Sequence, residues 1–127
     1  MGMFRRFITS SGKTVLAGKD AKSNESLMSD VGENEEVFHT VASGSPFVNI
    51  KTSVTNKKDR LEAAIFCASK SQDWRNNQSI VKVNRFKGKD VYKEKGMKLG
   101  TFGVRRKKVV SIGKTQIRRF LREHPNL

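Results

Sequence analysis

The segment KEKGMKLGTFGVRRKK, residues 93 to 108, restricts how this chain can fold more than any other feature. Seven of its sixteen residues are Lys or Arg, three are Gly, and Glu94 is its only acid. Glycine this frequent disfavours helix. Met97, Leu99, Phe102 and Val104 carry too much apolar surface for a disordered tail. The segment must therefore enter the folded body as turn and strand, although its charges repel one another there. A fold that accepts it needs a wet face and, to offset the repulsion, an anionic partner.

The rest of the charge points the same way. From Lys70 onward there are 17 basic and 4 acidic residues, a net of +13, whereas residues 1 to 69 hold 9 and 8, a net of +1. A C-terminal half this basic indicates a binding face rather than general solubility. The 127 residues suffice for one core and not for two ordinary domains. A 35% apolar content is enough for that core to form. The single cysteine, Cys67, has no internal disulfide partner. No stretch is apolar enough for a signal peptide or a membrane span. The expectation is a soluble cytoplasmic protein with no membrane partner.

Along the chain, MFRRFITSSGKTVLAGKD predicts a hairpin about the TSSG turn. GKDAKSNESLMSDVG predicts a short helix or ordered loop. ENEEVFHTVASGSPFVNIK predicts strands over 36–41 and 46–51 joined by SGSP. Asn49 alternates with Val48 and Ile50, which implies one face that is not fully buried. NKKDRLEAAIFCASKSQDW is the clearest helix, with Asn56 as N-cap and Leu61, Ala64, Ile65 and Ala68 at helical spacing. NQSIVKVNRF alternates as a strand with a wet, basic face. KKVVSIG predicts a short strand. KTQIRRFLRE predicts a last helix with Ile117, Phe120 and Leu121 inward and its arginines outward. Helices and antiparallel pairs mix without βαβ regularity. The fold class is therefore α+β, with a mixed, mostly antiparallel sheet and two to three helices packed on it in a single domain, residues 1–127.

Catalytic chemistry finds little footing. His39, inside a strand, and His124, predicted to face solvent near the C-terminal end, have no recognisable nucleophile or metal partner. Cys67 among Ala, Ile and Phe reads as a buried, inert thiol. Glu33, Glu35, Glu36 and Asp20 form no motif that fixes a metal, and no phosphate loop of the GxxxxGK[ST] or GxGxxG type is present. No cofactor, metal or enzymatic activity is expected.

Nucleic-acid binding is better supported. Lys82, Arg85, Lys87, Lys89, Lys93, Lys95, Lys98 and the run from Arg105 and Arg106 to Lys108 are spread over adjacent predicted strands. Phosphate contacts of that kind give affinity through counterion release. Phe86, Tyr92 and Phe102 are interleaved with them, as stacking on unpaired bases requires. The competing reading makes the aromatics core and the cations a solvated face.

Several segments together resemble the NFACT-R domain, an RNA-binding module of the NFACT proteins of ribosome-associated quality control, also found as small stand-alone proteins. The resemblance runs over roughly residues 13 to 112. Gly18, Asn24, Glu25 and Leu27 match its opening. Phe38 and His39 match in part its aromatic-x-His strand, and Gly44, Ser45 and Val48 its Gly-Ser turn and strand. Glu62, Ala63, Ala64, Ser69 and Lys70 match its helix, and Lys95, Gly96, Leu99, Gly100 and Phe102 its last basic strand. Val37 stands where the family has an aromatic. Pro46 and Phe47 stand where it has His and Val, in a turn about one residue short. Of the family's histidine pair only His39 carries over. The resemblance does not extend to the NFACT N-terminal domain and coiled coil, so it implies a stand-alone RNA-contacting module and not tail synthesis on stalled ribosomes.

The resulting expectation is contact with structured RNA such as tRNA or ribosomal RNA, in the setting of the ribosome, through the cations named above, with His39 and Phe102 as base contacts. Glycines 96, 100 and 103 would bend the backbone or admit a phosphate. The alternatives are a basic adaptor docking on an acidic protein and a DNA-binding module, since DNA presents the same phosphates.

Overall fold

The computed structural model describes residues 2–127. Its frame is a six-stranded antiparallel sheet in the order β1-β2-β4-β3-β5-β8. The strands are β1 (Arg5–Ile8), β2 (Thr14–Ala17), β3 (Glu36–Thr40), β4 (Val48–Ile50), β5 (Val81–Lys87) and β8 (Lys108–Ile112). Between β5 and β8 the chain leaves the sheet to form a two-stranded flap from β6 (Val91–Tyr92) and β7 (Gly103–Val104). Four helices complete the domain: α1 (Ala21–Ser29), α2 (Lys57–Ser69), α3 (Gln72–Asn77) and α4 (Lys114–Glu123). The α+β expectation holds.

The local reasons are visible in the sequence. β1 and β2 turn about Gly12, at φ 91°. Asp20 caps α1 by accepting from Ser23 N, and Asn56 caps α2 by accepting from Asp59 N at 2.7 Å. Asp59 is buried; burial pushes its carboxyl up, but hydrogen bonds from Ser11, Asn56 and Thr9 and the charge of Lys13 prevail and hold it down at about 2. The predicted long helix breaks after Ser69, where Ser71 caps α3.

Alternation along the strands divides the sheet into two faces. On one, Val15, Phe38, Val48, Ile50, Val81, Val83 and Ile112 pack with Phe7 beneath α2 and α4. Phe66, Cys67, Ile117 and Phe120 come down from those helices. α2 sits rotated from its predicted face: Ala63, Ala64, Phe66, Cys67 and Ala68 are buried, whereas Leu61 is exposed and Ile65 half-buried. Burial pushes the Cys67 thiol up to about 12, so it stays protonated. His124 does not face solvent as predicted: its ring lies 4.5 Å from that of Phe120 and 5.1 Å from that of Phe7.

On the other face a smaller cluster of Val37, Phe47 and Phe86 meets Leu27 and Met28 of α1 and the flap residues Phe102 and Val104. This cover corrects the expectation for Asn49, which is fully buried. Its amide donates to Glu36 O and Ile50 O at 3.1 Å, and its Oδ1 has no partner. Alternation correctly separates Asn49 from Val48, but both faces are roofed at the centre of the sheet.

Candidate nucleic-acid interface

Residues 93–108 become the flap, its tip and the entry to β8. The flap closes on itself through Tyr92, whose ring lies where a side chain on Gly103 would otherwise stand, and the Arg105 guanidinium covers that ring at 4.7 Å. Arg105 N–H also donates to Asp90 O. Residues 93–102 are held at their base by Lys93, whose ammonium donates to Glu25 Oε1 (3.0 Å), Lys98 O (2.6 Å) and Thr101 O (2.8 Å) and lies 4.6 Å above the Phe102 ring. Glu25 also accepts from Gly100 N at 2.7 Å. That bond, then Lys93, lowers its pKa. Gly100, at φ 79°, presses on Ala21, which leaves no room for a Cβ. Gly100 and Gly103 therefore serve close packing within the protein. Gly96, at φ 95°, makes an open turn at the tip.

Between the flap and the sheet lies a cleft of about 620 Å³. His39 and Asn84, paired across β3 and β5, form its floor, and Phe47, Tyr92 and Phe102 its aromatic walls, with Lys107 on its border. The His39 and Phe47 rings lie 4.4 Å apart, tilted by 36°, and Phe102 meets Phe47 edge-on at 5.4 Å. His39 Nδ1–H donates to Thr40 O at 2.8 Å, so Nε2 of the neutral ring is an acceptor. Burial pushes this imidazole down, against hydrogen bonds to the backbone of Thr40 and Ser45, and it is neutral at physiological pH. Asn84 Oδ1 is buried and has no hydrogen-bond partner.

The predicted cations separate into two groups. Arg85 and Lys87 point to the helix-covered side of the sheet, where Arg85 Nε donates to Glu36 Oε1 at 3.0 Å and Lys87 Nζ lies 3.8 Å from Glu36 Oε2. With Lys93, they are held by internal partners. Lys82, Lys89, Lys95, Lys98, Arg105 and Arg106 are exposed, with no carboxylate within 4.0 Å among the described residues. Arg106 and Lys108 join Arg85 and Lys87 along a groove at the end of β5, and Lys107 borders both this groove and the cleft. Lys82 stands on the same sheet face as Asn84, toward its open end.

Of the aromatics, Phe86 is core, while Tyr92 and Phe102 are half-buried at the cleft. Sequence reasoning passed over Phe47 and Asn84 as cleft residues. Their one signal was position: Phe47 precedes a strand and shares its parity with Asn49, and Asn84 shares a wet side with Lys82. Among the described residues no three His, Cys, Asp or Glu side chains are grouped to hold a metal ion. No helix is long and apolar enough to cross a membrane.

A family model described as the NFACT protein RNA-binding domain matches residues 3–106. The solved structure of the C-terminal part of the fibronectin/fibrinogen-binding protein from Streptococcus suis superposes with a TM-score of 0.80 at 21% identity. The match covers 94% of this chain and 49% of that one, so the chain spans about half the length of that structure, which shares its fold. No curated protein sequence matches the chain significantly.

Proposed function

Since the chain belongs to the NFACT RNA-binding domain family, we propose that it is a cytoplasmic module that contacts structured RNA, tRNA or ribosomal RNA, and acts in translation or ribosome-associated quality control. One observation carries the reading. The most basic segment of the chain folds as a flap whose free cations border an aromatic-lined cleft, with Lys107 at the junction. Lys95, Lys98, Arg105 and Arg106 meet phosphates, which supplies affinity without sequence choice. The cleft, with the neutral His39 as an acceptor, takes an unpaired base.

Fluorescence anisotropy on labelled tRNA, duplex DNA and single-stranded DNA, each at several salt concentrations, tests it. Tight tRNA binding with a steep salt slope, and weaker binding to duplex DNA, is the expected result. Equal affinity for duplex DNA and tRNA would make it a DNA-binding module. Folded protein that binds none of them at low salt, yet retains an acidic protein partner after nuclease treatment, would make it an adaptor.

A further inference from the structure

Round the end of the sheet from the cleft is a cavity of about 490 Å³ that the RNA reading leaves unused. Four cations from separate elements line it: Arg5 on β1, Lys19 before α1, Lys70 at the C-terminal cap of α2 and Arg75 on α3. None has an Asp or Glu carboxylate within 4.0 Å among the described residues. Lys19 and Arg75 have only neutral partners: Lys19 donates to Gly2 O at 3.1 Å, and Arg75 to Lys70 O at 3.2 Å and Gln72 Oε1 at 3.0 Å, whereas Lys70 donates to the terminal carboxyl of Leu127. The carboxylate on the cavity wall, Asp20, is committed to Ser23 N at 2.8 Å. Burial, then the charges of Arg5 and Arg75, push the Lys70 ammonium down. Arg5 and Arg75, with no side-chain carboxylate within 4.0 Å, leave the cavity electropositive, which favours an anion there.

The cavity and the cleft share a rim: Gly44, Ser45, Gly100 and Thr101 line both. Gly44 and Gly100 sit at φ 89° and 79°, where side chains are disfavoured, so the rim stays low at both positions. A ligand lying across it places a planar ring in the cleft and an anion among the cations.

We infer that cleft and cavity together form a single-nucleotide site, which takes an unpaired RNA base beside His39, Phe47 and Phe102 and its phosphate on Arg5, Lys70 and Arg75. This deepens, and rests on, the RNA reading above. It adds to the flap's phosphate contacts a second anchor that draws Arg5 from the near-neutral half of the chain to Lys70 and Arg75 from the basic half.

Two measurements test it. In amide NMR titrations of the wild type, a nucleoside 5′-monophosphate should shift Gly44, Ser45, Gly100 and Thr101 together with the Arg75 side chain. The free nucleoside should shift the cleft alone, and inorganic phosphate the cation cavity alone. Shifts confined to Lys95, Lys98 and Arg106 with all three ligands would overturn the site. The second measurement is binding of labelled single-stranded RNA to Arg5→Gln/Arg75→Gln. Loss of two phosphate contacts should weaken binding about tenfold and flatten the salt slope by roughly one unit. Unchanged affinity in the folded double variant would remove the site and leave the RNA reading intact. A wild type that binds no RNA and responds only to inorganic phosphate would overturn both. Should the double variant unfold, the wild-type titrations decide.

Discussion

The two faces of the sheet are built on the same strands to different ends. Under α2 and α4 the packing is dry and almost wholly apolar, and its titratable thiol is pushed out of the reactive range. Under α1 and the flap the apolar cluster is smaller, a cleft remains open, and it is lined by a histidine and by an asparagine whose buried amide oxygen is unpaired. The contrast teaches that this fold keeps its dry core and its open cleft on opposite sides of one sheet. Substitutions should therefore separate cleanly into those that unfold the protein and those that release RNA.

The largest effect should come from the dry face. Phe66→Ala removes a fully buried ring and should cost about 4 kcal/mol, seen as a lower urea midpoint. A small loss would mean that the helix layer is not the main core. Next is the flap: Lys95→Glu/Lys98→Glu/Arg106→Glu should weaken tRNA binding by about 30-fold with a salt slope shallower by about three units, at an unchanged or slightly higher melting temperature. A matching fall in melting temperature would break the division. Arg85→Ala sharpens it, because Arg85 is basic yet tied to the buried Glu36. Removing it should cost about 2 kcal/mol in chemical unfolding and change tRNA affinity less than twofold.

Acid should act on the dry framework through Asp59. The Asp59 pKa is lowered from 3.8 to about 2 in the folded protein, so its contribution is complete above about pH 4 and is lost as pH falls toward 2. Asp59→Asn should flatten the stability profile across that window. An unflattened profile would assign the acid sensitivity to other carboxylates.

Most of the framework was legible because it is local: the TSSG turn, the Asn56 cap and the spacing of Ile117 and Phe120 each act within a few residues. What escaped was decided at long range. Alternation separates Asn49 from Val48, but whether the second face is wet depends on α1 and on a flap more than forty residues away. The buried side of α2 depends on the sheet it meets, so Leu61 and Ala63 exchanged roles. Candidate cations could be counted but not sorted, since Arg85 and Lys93 differ from Lys95 only through Glu36 and Glu25. The Arg5–Lys70–Arg75 cluster was invisible for a related reason: its members are up to seventy positions apart, and Arg5 lies in a half of nearly zero net charge.

The Lys93 clamp has a bearing on how such a module can diversify. It fastens the base of the 93–102 loop to α1 through Glu25, with Gly100 held by the same carboxylate, while the turn at Gly96 stands in open space. Residues 94–97 are thus a tip carried on a fixed mount that includes the Lys98 carbonyl. Changes in their length or charge alter what the molecule touches without disturbing how it folds, so the tip is the natural place for related chains to vary and for a new specificity to be grafted.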